Sequence, residues 1–76
     1  MQITHNTKAD VMYISLNNKP VHLNKVLGNG LVVVDVAEDG TVVGFELISP
    51  SFYVDNLEEI IYRLDDEGKV ITRTAE

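Results

Sequence analysis

The chain of 76 residues contains neither cysteine nor tryptophan. The absence of cysteine excludes a disulfide framework, a thiolate nucleophile and any cysteine-ligated metal site. Long apolar runs are also absent, because the longest, at residues 31–34, is far shorter than the roughly 20 residues that span a membrane. The first ten residues, MQITHNTKAD, lack the basic and apolar regions of a secretion signal. We therefore expect a cytoplasmic protein with no membrane partner.

Basic residues are scarce, since six lysines and arginines face twelve acidic residues and give a net charge of -6. A field of this sign repels phosphate backbones, so nucleic acid is not expected as a direct partner. The same field attracts cationic surfaces, and a small basic protein is the kind of partner that the charge favours.

The length sets a limit on the core. It accommodates a single domain over residues 1–76, and a domain of this size buries only about 60% of the surface that its unfolded chain exposes. A core this small gains from self-association. We therefore predict a homo-oligomer, most simply a dimer.

The first two thirds of the sequence predict short β-strands separated by turn residues. Turns are indicated at Asn17–Pro20, at Gly28–Gly30 and at Asp39–Gly40. The predicted strands cover residues 2–5, 10–16, 21–27, 31–37 and 41–48. The loop length at Gly28–Gly30 cannot be read from the sequence, so the pairing of the third strand with the fourth stays open.

Asp39-Gly40 between β-branched runs is a strong hairpin signal. With a two-residue loop, Asp35 pairs with Gly44 and Val33 pairs with Glu46, which places Asp35 and Glu46 on one face of the sheet. The opposite face carries only apolar side chains and is predicted to face the core. Its members are Val32, Val34, Val36, Val43, Phe45 and Leu47.

The pattern beyond Ser49 is typical of a helix. Asp55 and Glu58 are spaced as a capping box, an apolar stripe runs from Leu57 to Leu64 with the spacing i, i+3, i+4, i+7, and Gly68 is a candidate helix end. Residues 69–72 could add a short last strand. The resulting prediction is an α+β fold, an antiparallel β-meander of four or five strands with one C-terminal helix packed on the sheet.

The segments ADVMYISL and GLVVVDVAEDGTVVGFELI resemble the small prokaryotic family known as domain of unknown function 2283 (DUF2283). The resemblance covers residues 3–48 and is most specific at VVGFELI, with Gly44 and Glu46 at the positions that the family pattern expects. It implies a β-rich cytoplasmic protein without an established activity. Some members of the family resemble the second product of two-gene modules whose other product is similar to a compact ribonuclease-like toxin.

Acidic residues inside or next to apolar strands are the candidate interaction residues. We single out Asp10, Asp35 and Glu46, together with the aromatic Tyr13. The alternative is that these carboxylates are only solvated, or are neutralised by lysines and arginines of the same chain. For Asp10, a turn-type hydrogen bond to the backbone is a further ordinary role.

The sequence offers no set of catalytic, cofactor-binding or metal-binding residues. His5 and His22 could meet across strands, but no third ligand is spaced with them. No serine lies in a nucleophile motif. We therefore predict a non-enzyme that needs no cofactor, namely a protein-interaction module, with an antitoxin-like role toward a small basic toxin-like protein as its most specific form. Two alternatives are a self-assembling structural protein and a minimal hydrolase that holds a divalent cation through Asp10, Asp35 and Glu46.

Overall fold

The computed structural model describes the backbone of residues 1–66 and 69–75 and the side chains of residues 1–65. Within these residues the fold is all-β, with helical geometry limited to single 3-10 turns at Gly28–Gly30 and Pro50–Phe52. Seven strands follow one another: β1 (Gln2–Asn6), β2 (Val11–Ser15), β3 (Leu23–Leu27), β4 (Val32–Val36), β5 (Val42–Ile48), β6 (Ile60–Asp66) and β7 (Lys69–Ala75).

The first five strands form one antiparallel sheet in the order β1-β2-β5-β4-β3. The predicted meander is therefore wrong, although each of its five strands exists close to the expected bounds. Strand β2 pairs with β5 rather than with β3, so strands β2 to β5 follow a Greek key. The long connection crosses the top of β5 and β4, where Asn17 Nδ2 donates to Val42 O at 3.0 Å and the His22 amide donates to Val36 O at 2.8 Å.

The connection is also held by an ion pair on its outer side. Lys19 Nζ lies 2.6 Å from Asp39 Oδ2 and donates to Thr41 Oγ1 at 3.2 Å. The Thr41 amide donates to the other carboxylate oxygen of Asp39 at 2.9 Å. These bonds, with the hydrogen bond from Lys19 as the largest contribution, hold the pKa of the Asp39 carboxyl well below its usual range.

The hairpin between β4 and β5 has the predicted residue pairs, although its loop differs from the predicted one. The Gly40 amide donates to Ala37 O and the Ala37 amide donates to Thr41 O, so the loop has three residues and not two. The register then shifts between Asp35 and Val36, which restores the pairs Asp35–Gly44 and Val33–Glu46. Because the two irregularities cancel, Asp35 and Glu46 share a face as predicted.

The turn between β3 and β4 is built from residues that tolerate the left-handed region. Gly28, Asn29 and Gly30 all have positive φ, at 58°, 58° and 89°. Pairing resumes with Leu27 opposite Val32. This turn settles the register that the sequence left open.

The core is small and lies mainly on the apolar face of the central strands. Met12, Val36, Ala37 and Val43 are buried, and Pro50 is fully enclosed. The other members of the predicted core face, Val32, Val34, Phe45 and Leu47, are half-buried. The sheet therefore covers itself only in part.

The predicted C-terminal helix is wrong. Residues 60–66 form β6, which pairs antiparallel with β7 as a separate two-stranded sheet. The pairing runs from Ile60 opposite Ala75 to Asp66 opposite Lys69. Ile60, Tyr62 and Leu64 recur at every second position, as in a strand, while Ile60, Ile61 and Leu64 also fit a helical stripe. The β-branched run at residues 70–72 gives β6 a strand partner. Gly68, the expected helix end, lies outside the described residues.

The described part of the chain contains no helix that could span a membrane.

Candidate functional site

Three neighbouring strands bring polar side chains together on the face opposite the core. Tyr13 of β2 lies opposite Glu46 of β5, which lies opposite Val33 of β4. One row further along, Gly44 lies opposite Asp35, which lies opposite Asn24 of β3. We call Tyr13, Asn24, Asp35 and Glu46 the tyrosine–acid cluster.

The cluster is held by hydrogen bonds that pass over β5. Tyr13 Oη donates to Asp35 Oδ2 at 2.8 Å, although their strands β2 and β4 are separated by β5 and thus by about 10 Å. Asn24 Nδ2 donates to the other carboxylate oxygen, Asp35 Oδ1. Both oxygens of Asp35 therefore accept a bond from a neutral donor, which fixes the orientation of the carboxylate.

Gly44 makes this arrangement possible. A Cβ atom at this position would lie 2.5 Å from Tyr13 Oη and 2.6 Å from the carbonyl oxygen of Ile14. Only a residue without a side chain leaves room for the phenol to cross β5.

Negative charge dominates the electrostatics of the cluster. Burial raises the pKa of the Tyr13 phenol, and the hydrogen bond to Asp35 and the charges of Asp35 and Glu46 raise it further. Among the side chains of residues 1–65, the ion pairs are Lys19–Asp39 and, when the histidine is protonated, His5–Asp10. Asp35 and Glu46 thus form no ion pair with any of those side chains.

Asp10 lies apart from the cluster. Its residue adopts a positive φ of 53°, and its carboxylate accepts bonds from Ser51 Oγ at 2.5 Å and from the Ser51 amide at 3.4 Å. The Ser49 amide also donates to Asp10 O at 2.9 Å. Asp10 therefore ties the segment after β5 to the turn before β2.

His5 lies near Asp10, with 3.8 Å between Nε2 and Oδ1, and Nε2 is buried without a hydrogen-bond partner among the described residues. Ser51 Oγ bonds to the carboxylate and not to the imidazole, so these residues do not form the serine–histidine pair that activates a nucleophile. Within the described residues, no three side chains of histidine or acidic residues are grouped as metal ligands. Asp10, Asp35 and Glu46 are not brought together as the hydrolase alternative requires.

Sequence reasoning singled out Tyr13, Asp35 and Glu46, which the structure places on one face of neighbouring strands, but it missed Asn24 and the role of Gly44. A glycine in the middle of an apolar strand signals a close approach, so Gly44 could have been recognised. Asn24 gave no such signal, because its place beside Asp35 depends on the register of β3 with β4.

A family model described as protein of unknown function (DUF2283) matches residues 2–51. The match extends from β1 to the 3-10 turn after β5 and includes all of the tyrosine–acid cluster. The family predicted from the strand motifs is thereby confirmed. No curated protein and no solved structure matches the chain.

Proposed function

The chain belongs to the DUF2283 family of proteins of unknown function, and on that premise we propose that it is a non-catalytic interaction module that works by associating with other protein chains. Its first partner is a second copy of itself. A small basic protein is the second partner, bound at the tyrosine–acid cluster.

The first part of the proposal, self-association, rests on the exposed area of the chain. The accessible surface is 5998 Å², whereas a compact monomer of 8.5 kDa exposes roughly 4,700 Å². The radius of gyration is 14.3 Å, compared with about 11 Å for a compact chain of this length. The excess area, about 1,300 Å², is of the size that one subunit buries in a large obligate interface, and part of it belongs to the β6–β7 hairpin, which forms a separate sheet.

Light scattering tests self-association directly. Across protein concentrations from low micromolar upward we expect the mass of a dimer or larger assembly. A monomer mass over the whole range, with the chain folded by circular dichroism, would contradict this part of the proposal.

The tyrosine–acid cluster supports the second partner. Asp35 is oriented by two neutral donors, and neither it nor Glu46 has a cationic partner among the side chains of residues 1–65. A lysine or arginine of a partner can approach Glu46 and the outer side of Asp35, and the net charge of -6 accelerates the encounter. A basic toxin-like protein would fit this surface, with the present chain in the antitoxin-like role.

Co-expression with a basic protein encoded beside the gene tests this partner. We expect the two proteins to co-purify, and Glu46→Lys to weaken the complex by tenfold or more because it places a cation against a cation. Glu38→Lys is the matched control, since it makes the same charge change at an exposed hairpin residue outside the cluster. Equal binding by Glu46→Lys and Glu38→Lys would remove the cluster from the interface.

The hydrolase alternative has its own test. Titration calorimetry with magnesium, calcium and manganese is expected to show no tight, saturable binding. Tight binding that disappears in Glu46→Gln would overturn the non-enzymatic proposal in favour of a metal-dependent activity.

A further inference from the structure

Strand β3 is an open edge of the five-stranded sheet. Among the described strands it pairs with β4 alone, and all five of its residues are exposed. The exposed fractions of its apolar side chains are large, at 40% for Leu23, 64% for Val26 and 55% for Leu27. An edge of this kind is a template for pairing with another strand.

The backbone groups that the edge offers follow from the pairing of β4. The Ala37 amide donates to Thr41 O, and Leu31 O accepts from the Ile48 amide, so residues 31, 33, 35 and 37 direct their backbone groups toward β5. Residues 32, 34 and 36 then face β3 and bond to their partners Leu27, Lys25 and Leu23. The amide and carbonyl groups of Asn24 and Val26 are left facing outward.

Charge favours the two edge strands of the sheet over its acidic surfaces. The chain carries twelve acidic residues, but none lies between residues 1 and 9 or between residues 11 and 34. Two copies with a net charge of -6 each repel each other over most approaches, and this repulsion is smaller at β1 and β3, which carry no acid of their own, although the carboxylate of Asp35 lies against Asn24 of β3. A basic partner has no such reason to choose these edges.

The opposite edge of the sheet, strand β1, exposes mainly polar side chains. In β1 the outward side chains of Gln2, Thr4 and Asn6 are polar and exposed, while Ile3 and His5 are half-buried. Pairing at β1 would therefore bury less apolar surface than pairing at β3.

We infer that two copies of the chain pair antiparallel through β3 and form a continuous ten-stranded sheet about a two-fold axis beside Val26. This inference rests on the proposed self-association and assigns its surface. Both copies contribute the same strand, as a two-fold interface requires.

The register follows from the open groups and from Lys25. A pairing with Lys25 opposite its own copy would set two ammonium groups side by side, which is unfavourable. Moving the axis to Asn24 also pairs open groups, but it brings together the two Asp35 carboxylates that Asn24 holds. Moving the axis to Val26, which slides the two strands by two residues, sets Val26 opposite its copy, pairs the open groups of the two Val26 residues, and places Lys25 opposite Leu27. The alkyl stem of the lysine then covers the leucine while its charge stays in water.

The two-fold axis of such a sheet is perpendicular to it, so each face of one copy continues into the same face of the other. Both tyrosine–acid clusters then lie on one side of the dimer, with Asn24 of each copy close to the axis. A basic partner would meet a doubled acidic surface.

Disulfide trapping tests the edge, because the chain has no cysteine of its own. Val26→Cys places the two thiols opposite each other across the axis, and we expect mild oxidation to convert most of the protein to a covalent dimer of unchanged light-scattering mass. Thr4→Cys, at the middle of the exposed β1 edge, is the matched control and should cross-link slowly or not at all. Equal cross-linking by the two variants would overturn the inference.

A second pair of variants separates this inference from self-association itself. Val26→Lys brings four lysines to the axis and should shift the protein to the monomer while circular dichroism stays unchanged, whereas Thr4→Lys should remain dimeric. A dimer that persists in Val26→Lys and does not cross-link in Val26→Cys would refute the β3 interface and leave self-association standing. A wild-type monomer would refute both.

Discussion

At Gly44 the sheet has no space for a side chain, because the phenol of Tyr13 crosses the strand there to reach Asp35. The neighbouring carbonyl of Ile14 closes the same space from the backbone side. A single glycine thus decides whether two strands that are not neighbours can share a hydrogen bond.

Gly44→Ala is expected to destabilise the protein by about 1–3 kcal/mol, since the added methyl group meets backbone as well as the tyrosine. Urea unfolding monitored by circular dichroism measures the change. Tyr13→Phe, which removes the hydrogen bond but keeps the ring, should lose only about 1 kcal/mol. A loss below about half a kcal/mol for Gly44→Ala would mean that the ring does not lie over the glycine.

Tyr13 should ionise above the ordinary value of about 10, because burial and the acids beside it raise its pKa. The raised pKa in the folded state gives a contribution to stability that is complete below that ordinary value and is lost as pH rises through the folded-state pKa. Tyrosinate absorbance in a Tyr53→Phe/Tyr62→Phe variant isolates this group among the three tyrosines. Asp35→Asn in that background should lower the midpoint, and an unchanged midpoint would argue against the Tyr13–Asp35 bond.

The pKa of Asp39 shifts in the opposite direction to that of Tyr13, since the bonds to Lys19 and Thr41 lower the pKa of its carboxyl. A lowered pKa contributes stability that is present above the unfolded-state value and is lost as pH falls through the folded-state value. Carbon-detected NMR titration should place the Asp39 midpoint below the ordinary aspartate value of about 3.9. Lys19→Ala should raise the Asp39 midpoint. The same Asp39 midpoint in this variant as in the wild-type protein would contradict the ion pair.

At the scale of elements, the five-stranded sheet and the β6–β7 hairpin differ in how many neighbouring strands stabilise each strand. The central strands β2 and β5 each pair on both sides, whereas β6 and β7, within the part of the chain that the structure describes, pair only with each other. The hairpin also exposes Ile61 by 45%, Tyr62 by 52% and Leu64 by 40%. An isolated two-stranded hairpin is marginally stable in water.

Hydrogen exchange followed by NMR should therefore show the paired amides of β6 and β7 exchanging well before those of β2 and β5. The comparison needs no variant, because the exchange rates of both sheets are measured in the same sample. Equal protection of β6 and β5 would show that the hairpin is covered, either by the sheet or by a second chain.

At the scale of the whole molecule, charge and apolar surface oppose each other. The net charge of -6 disfavours self-association, while the excess exposed area favours it. Salt changes only the first effect, because the screening length falls from about 30 Å at 0.01 M to about 8 Å at 0.15 M ionic strength.

The dimer dissociation constant, measured by sedimentation equilibrium, should therefore decrease as salt is raised over this range. Binding of a basic partner should respond in the reverse direction, because salt screens an attraction there. A dimer that weakens with added salt would point to opposite charges across its interface and would contradict pairing through β3, a strand with no acid of its own.

The sequence alone determined the local features. Alternation and β-branching located β1 to β5, and the Asp39-Gly40 and Gly28–Gly30 signals located their turns, because these patterns depend on residues next to each other in the chain. The motif around Gly44 and Glu46 also indicated the family. Asp35 and Glu46 were placed on one face correctly, although the hairpin loop has one more residue than predicted and a bulge compensates for it.

Only the tertiary structure decided the strand order, the fate of residues 60–66 and the composition of the cluster. The pairing of β2 with β5 joins residues from 29 to 37 positions apart, from Ser15–Gly44 to Val11–Ile48, and no local pattern favours it over pairing with β3. The apolar residues from Leu57 to Leu64 fit a helical period and a strand period alike, so the partner strand β7 determined the outcome. Asn24 and Tyr13 meet at Asp35 because three strands fix their register, a physical constraint that exists only once the sheet has formed.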